Sequence, residues 1–135
     1  MWIVNASRYE ISVGEHRPVD NTVLIQIGDP ATEFPIPKAQ FVATYQFEFL
    51  DVSEHETQFS EFMITDRQAS EIVDILKLAA SNKQNVMVHC VAGLCRSGAV
   101  TEVGVMMGFE DTHRYRNPNV FVKKMLMRQL GWTYD

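Results

Sequence analysis

Cys90 and Arg96 are separated by five residues inside the stretch Asn85–Gly98, NVMVHCVAGLCRSG. A cysteine thiolate is a strong nucleophile, and a helix N-terminus, inward-pointing backbone amides and a neighbouring cation all favour the thiolate over the thiol. An arginine guanidinium is a planar fork that can grip two oxygens of a tetrahedral anion, which the point charge of lysine does less well. The pair therefore suits attack of sulfur on an anionic group that the arginine holds.

The flanking residues would build the cradle such chemistry needs. Val86, Met87 and Val88 read as a short buried strand after the polar Asn85, and the chain turns apolar at helical spacing from Ser97 onward. Cys90 to Arg96 is then the turn between strand and helix. The backbone N–H groups of such a turn converge on one spot, which the helix dipole also makes favourable to an anion. Val91, Ala92, Gly93, Leu94, Cys95 and Arg96 are the residues whose amides would line it. Gly93 allows close backbone approach. The Ser97 hydroxyl can hydrogen-bond the sulfur and ease its departure, and His89 can hold the loop through its ring nitrogens. Cys95 reads first as a small packing residue and second as a thiol able to trap an oxidised Cys90 as a disulfide.

HCVAGLCRSG resembles the HC-x5-R-S/T signature of the cysteine-dependent protein tyrosine and dual-specificity phosphatases, in particular their small single-domain bacterial and viral members. The early SRY (Ser7–Tyr9), a strand ending in aspartate and the late NP (Asn117–Pro118) are similar to that family as well, more loosely. The resemblance implies hydrolysis of phosphomonoesters through a phosphocysteine on Cys90, with a phosphorylated protein or peptide as substrate and neither cofactor nor metal. A phosphate-binding module without turnover, or a phosphatase of RNA 5′ ends or phosphoinositides, would use the same loop.

The departing oxygen needs a proton, which that family takes from an aspartate on a separate loop. Asp51 is the best match, because it closes an expected strand beside a polar segment, with Glu54, Glu56 and Asp66 as alternatives. Arg8, His113, Arg114 and Arg116 are candidates for the pocket mouth, although each also reads as an ordinary surface residue.

The chain has 135 residues, 46% of them apolar, enough for one domain with its own core. A formal net charge of -5 argues against broad binding to nucleic acid or anionic membrane, so neither is expected as a partner. Two cysteines in one loop form no disulfide framework, and no apolar leader or run long enough to cross a bilayer is seen. A cytoplasmic, reducing setting is expected.

Strands are expected at Trp2–Val4, broken by Asn5–Arg8, at Val23–Ile27 and at Tyr45–Leu50. Tyr9–Val13 fits helix or extended chain. Three prolines between Asp29 and Gln40 predict a loop. Thr65 and Gln68 form a capping box for a helix burying Ile72, Ile75, Leu76 and Ala79. Ala99, Val100, Val103, Met106 and Met107 mark a second helix. A last one is expected with Asn117 as N-cap and Pro118 at its first position, burying Val122, Met125, Leu126 and Leu130. Alternating strands and helices predict an α/β fold with a mostly parallel sheet covered on both faces, with ligands at the carboxyl ends of its strands.

Overall fold

The computed structural model describes residues 1–134. In chain order its elements are β1 (Trp2–Ser7), α1 (Arg8–Val13), β2 (Thr22–Gly28), β3 (Ala43–Glu48), a 3-10 turn (Thr57–Phe62), α2 (Asp66–Ser81), β4 (Asn85–Cys90), α3 (Arg96–Met106), β5 (Glu110–Asp111) and α4 (Val120–Gln129). The strands form one sheet in the order β3-β2-β4-β1-β5, and every pairing is parallel. Parallel pairing requires crossovers, and three of the four carry a helix, α1, α2 and α3, while the β2–β3 connection has none.

Side-chain alternation along the strands separates two apolar layers. Ile3, Val23, Ile25, Val86 and Val88 pack with α2, α3 and α4 in the larger core. Val4, Ala6, Leu24 and Met87 face the other way, against Ile11 of α1, and Trp2, Val19 and Phe41 close that smaller core. Burial of each Ile, Leu or Met side chain is worth about 1.5–3 kcal/mol. The short, two-residue β5 ends the sheet on one side, while β4 sits at its centre between β1 and β2.

Register carries the central strand's last residue to the site. Ser7 pairs with Cys90, and Gln26 pairs with His89. The residues that follow on β1 and β2, Arg8 and Asp29, therefore emerge on either side of the turn after Cys90.

Several boundaries differ from expectation for local reasons. β1 runs through Asn5 to Ser7, because its ladder with β4 continues to Cys90 and the Asn5 side chain is buried with partners of its own. The ambiguous segment after it is α1. Ser7 Oγ accepts from the Glu10 N–H at 3.1 Å and the Ser7 N–H donates to Glu10 Oε1 at 2.9 Å, a reciprocal cap that fixes a short helix. β3 stops at Glu48, so Asp51 lies beyond the strand instead of closing it. In α2 the Thr65–Gln68 box forms as expected, at 3.0 and 3.1 Å, and Ile72, Leu76 and Ala79 are buried, while Ile75 is only partly so.

The N-cap of α4 is Asn119, whose Oδ1 accepts from the Val122 N–H at 3.0 Å, and not Asn117. Asn117 and Pro118 precede the helix. The N–H groups of Asn117 and Asn119 are bonded to the carbonyls of Leu94 and Cys95, which holds this stretch alongside the 90–96 turn and delays the first helical residue to Val120.

Candidate functional site

The turn from Cys90 to Arg96 is shaped by what its carbonyl oxygens accept. The Arg8 N–H donates to Val91 O at 3.1 Å, Asn5 Nδ2 to Gly93 O at 2.7 Å, and the N–H groups of Asn117 and Asn119 to Leu94 O and Cys95 O at 3.0 Å each. Four of the turn's carbonyls are thereby taken up by neighbouring segments. Among the described residues, no N–H from Val91 to Cys95 donates to a backbone carbonyl or a side chain. Unbonded amides next to a helix N-terminus suit an anion.

Gly93 packs its backbone directly against β1. Its φ is +77°, and a Cβ there would lie 2.5 Å from the Ala6 carbonyl carbon and 2.6 Å from Ser7 N. The close approach is to β1. Only glycine can combine that dihedral with that contact.

Cys90 is almost fully buried, and its Sγ lies 3.1 Å from Ser97 Oγ, in the first turn of α3. The hydroxyl can donate to the sulfur. His89 is also buried, with Nδ1 3.1 Å from Cys90 O. Burial first, and the charges of Arg8 and Arg96 next, push its pKa down to about 4, so the ring is neutral near pH 7. A neutral ring whose Nδ1 bears the proton donates to that carbonyl and so tethers the start of the turn.

Arg96 is only 4% exposed. Its Nη1 donates to Asp29 Oδ1 and to the carbonyl of Phe49, both at 2.7 Å, while its Nε is buried without any partner. An unsatisfied buried donor costs about 1–3 kcal/mol, more when charged, so a guanidinium held by one end with its Nε free is set to receive an acceptor. Asp29 did not stand out in the sequence beyond ending β2. Its position at the carboxyl end of a strand beside β4 was the available signal.

Asp51 is exposed and accepts from Asn119 Nδ2 at 2.7 Å. It adjoins Cys95, whose thiol pKa is raised by burial first and by the Asp51 carboxylate next. Cys95 is therefore kept as the thiol. Both residues line a cavity of about 430 Å³ that extends over Glu54, His55 and Phe121. Cys90 does not line it and is almost fully buried.

The other carboxylates are engaged elsewhere. Glu54 accepts from Lys124 Nζ at 2.9 Å, which holds its carboxyl below the usual range. Glu56 Oε1 accepts from the Ser53 N–H at 2.8 Å, and Asp66 pairs with Arg128 and Gln129 at the start of α2. Of the arginines considered for the mouth, Arg8 is beside the loop through its backbone, with its side chain on Glu33 O. Arg114 pairs with Glu10 at 2.6 Å, and Arg116 is locked to Glu102 and, through two bonds, to Asp111. His113 is exposed beside Asp111. These last three brace the segment leading to α4 and do not join the Cys90 loop through any side-chain bond.

Among the described residues, no group of three His, Cys, Asp or Glu is placed to hold a metal ion, and no helix is long and apolar enough to cross a membrane.

No family model matches this chain, and no curated relative matches it. Among solved structures, OH1 from the Orf virus, described as a tyrosine phosphatase with distinct structural features and triple substrate specificity, aligns with a TM-score of 0.51 at 16% identity. The alignment covers 78% of this chain and 56% of that one, so the chain spans little more than half of that protein's length. At this identity the likeness defines the fold. It is α/β, an all-parallel five-stranded sheet flanked by helices, of the protein-tyrosine-phosphatase-like kind.

Proposed function

We propose that the chain is a cysteine-dependent phosphatase that hydrolyses phosphomonoesters through a phosphocysteine on Cys90. The observation that carries this reading is the partnerless buried Nε of Arg96 at the end of a turn whose amides are unbonded and which begins at the buried Cys90, with its sulfur 3.1 Å from Ser97 Oγ. That arrangement offers donors to three oxygens of a phosphoryl group and a nucleophile to its phosphorus.

In the first step the Cys90 thiolate attacks phosphorus, the S–P bond forms, and the P–O bond to the leaving group breaks. Asp51 gives its proton to the departing oxygen. In the second step water attacks the phosphocysteine, Asp51 takes the water proton, and Cys90 leaves as thiolate, helped by the Ser97 hydroxyl. Arg96 and the amides from Val91 to Arg96 follow the charge on the phosphoryl oxygens through both steps. His89 supports the loop without taking part in proton transfer.

Phosphorylated protein or peptide is the substrate class, with tyrosine specificity or dual specificity. The signature stretch HCVAGLCRSG and the fold shared with a viral tyrosine phosphatase support it. Turnover of para-nitrophenyl phosphate, with and without chelator, tests the reading. Cys90→Ser should reduce the rate to background while binding of vanadate or phosphate persists, because serine does not ionise there and Arg96 still grips the anion. A Cys90→Ser protein that keeps a sizeable share of wild-type turnover would exclude the covalent route.

A further inference from the structure

We propose that Asn119 is the positioning residue of the general acid, a clamp that holds Asp51 at the rim of the Cys90 loop. This inference rests on the phosphatase reading above and concerns how its proton donor is kept in place.

One residue joins three separate parts of the chain. Asn119 Nδ2 donates to Asp51 Oδ1 at 2.7 Å and to Val52 O at 3.1 Å, while Asn119 Oδ1 accepts from the Val122 N–H at 3.0 Å. Its backbone N–H donates to Cys95 O at 3.0 Å. The segment bearing Asp51, the first turn of α4 and the 90–96 loop therefore meet at a single residue. The anchor is firm, since α4 packs on α2 and α3 through buried Val122, Met125 and Leu126. Asp51, by contrast, lies beyond the end of β3 in an exposed segment that has left the sheet ladder.

The chemistry of the donor matters as much as its position. A primary amide is neutral, so it fixes one carboxyl oxygen with a hydrogen bond alone and favours the ionised form less than a full positive charge does. A lysine does the opposite, as at Glu54, which Lys124 holds below the usual carboxylate range. The same amide spends its oxygen on the helix cap, which fixes the orientation of the nitrogen toward Asp51. During the reaction Asn119 gives up no proton. The proton leaves Asp51 for the departing oxygen as the P–O bond breaks, and the amide keeps its bond to the resulting carboxylate.

Two variants separate this role from capping. Aspartate and serine are both good N-caps, so Asn119→Asp and Asn119→Ser retain an acceptor for Val122 N–H, yet neither supplies the amide to Asp51. Both should melt close to wild type. Both should lose roughly tenfold in kcat on a phenyl phosphate with a poor leaving group and much less on an activated one, the size expected for one hydrogen bond to an ionisable partner. In an Asp51→Asn background, Asn119→Ser should cost nothing more. The proposal is overturned if Asn119→Ser costs the same factor with and without Asp51, or if both variants keep the wild-type dependence on leaving group. A wild-type protein without turnover would overturn the phosphatase reading itself, and this inference with it. An active wild type with unaffected variants would remove Asn119 alone.

Discussion

Arg96 Nη1 meets Asp29 Oδ1 at 2.7 Å, across 67 residues of sequence, and the same nitrogen reaches the carbonyl of buried Phe49. The guanidinium is thereby fixed by its far end, and its Nε is left buried without a partner. Asp29 is about half exposed, so the value of the pair as an ion pair is modest, and its effect lies in aiming the fork.

Asp29→Ala should therefore weaken phosphate or vanadate binding and lower kcat/KM together, by roughly tenfold, with little change in melting temperature. Asp29→Asn should retain most of the function, since its amide oxygen still accepts from Nη1. Inhibition constants for inorganic phosphate, measured beside kcat/KM, check this. An Asp29→Ala enzyme indistinguishable from wild type would mean that Phe49 O alone orients Arg96.

Asp51→Asn should slow phenyl phosphates with poor leaving groups by on the order of a hundredfold, the contribution of a positioned general acid, and activated esters far less. The basic limb of the rate profile should flatten, because it reports the proton that Asp51 must carry. Rates plotted against leaving-group pKa decide the matter. Parallel lines for the two proteins would rule out Asp51, and Glu56 would then be the next carboxylate to test on the same segment.

His89 predicts an acid-sensitive fold. Its pKa in the native state is about 4, against about 6.5 when unfolded, so between those values the unfolded chain binds a proton that the native chain does not. Stability from this residue is complete above pH 6.5 and falls as the pH drops toward 4, by roughly 3 kcal/mol in all. The stabilisation from Asp111, which donation from Arg116 holds at about 2, is complete above its ordinary value of 3.8 and is lost only as the pH falls from there toward 2, a separate window. Urea unfolding of wild type and His89→Asn at several pH values measures the difference. Equal slopes between pH 6.5 and 4 would show that His89 is not the group responsible.

The parts of this protein that depend on neighbours in sequence were legible in the chain itself. The spacing of Cys90, Gly93, Arg96 and Ser97 marked the loop, Thr65 and Gln68 marked the start of α2, and alternating apolar strands and helices indicated a parallel α/β sheet. Each of these rests on contacts within one turn or one short strand, where side-chain type and backbone geometry are directly coupled. The aspartate on Arg96, the asparagine on Asp51 and the Asn5 side chain on Gly93 O join residues 67, 68 and 88 positions apart. Nothing local distinguishes Asp29, Asn119 or Asn5 from other polar residues at strand ends and turns. Asn119 displaced Asn117 as the helix cap for the same reason, since the backbone of both residues is bonded to the 90–96 loop before α4 can begin. Tertiary structure decided these roles because a hydrogen bond depends on distance in space: the register of β1, β2 and β4 brings Asn5 and Asp29 to the loop, while the bond of the Asn119 N–H to Cys95 O and the packing of α4 on α2 and α3 bring Asn119 to Asp51.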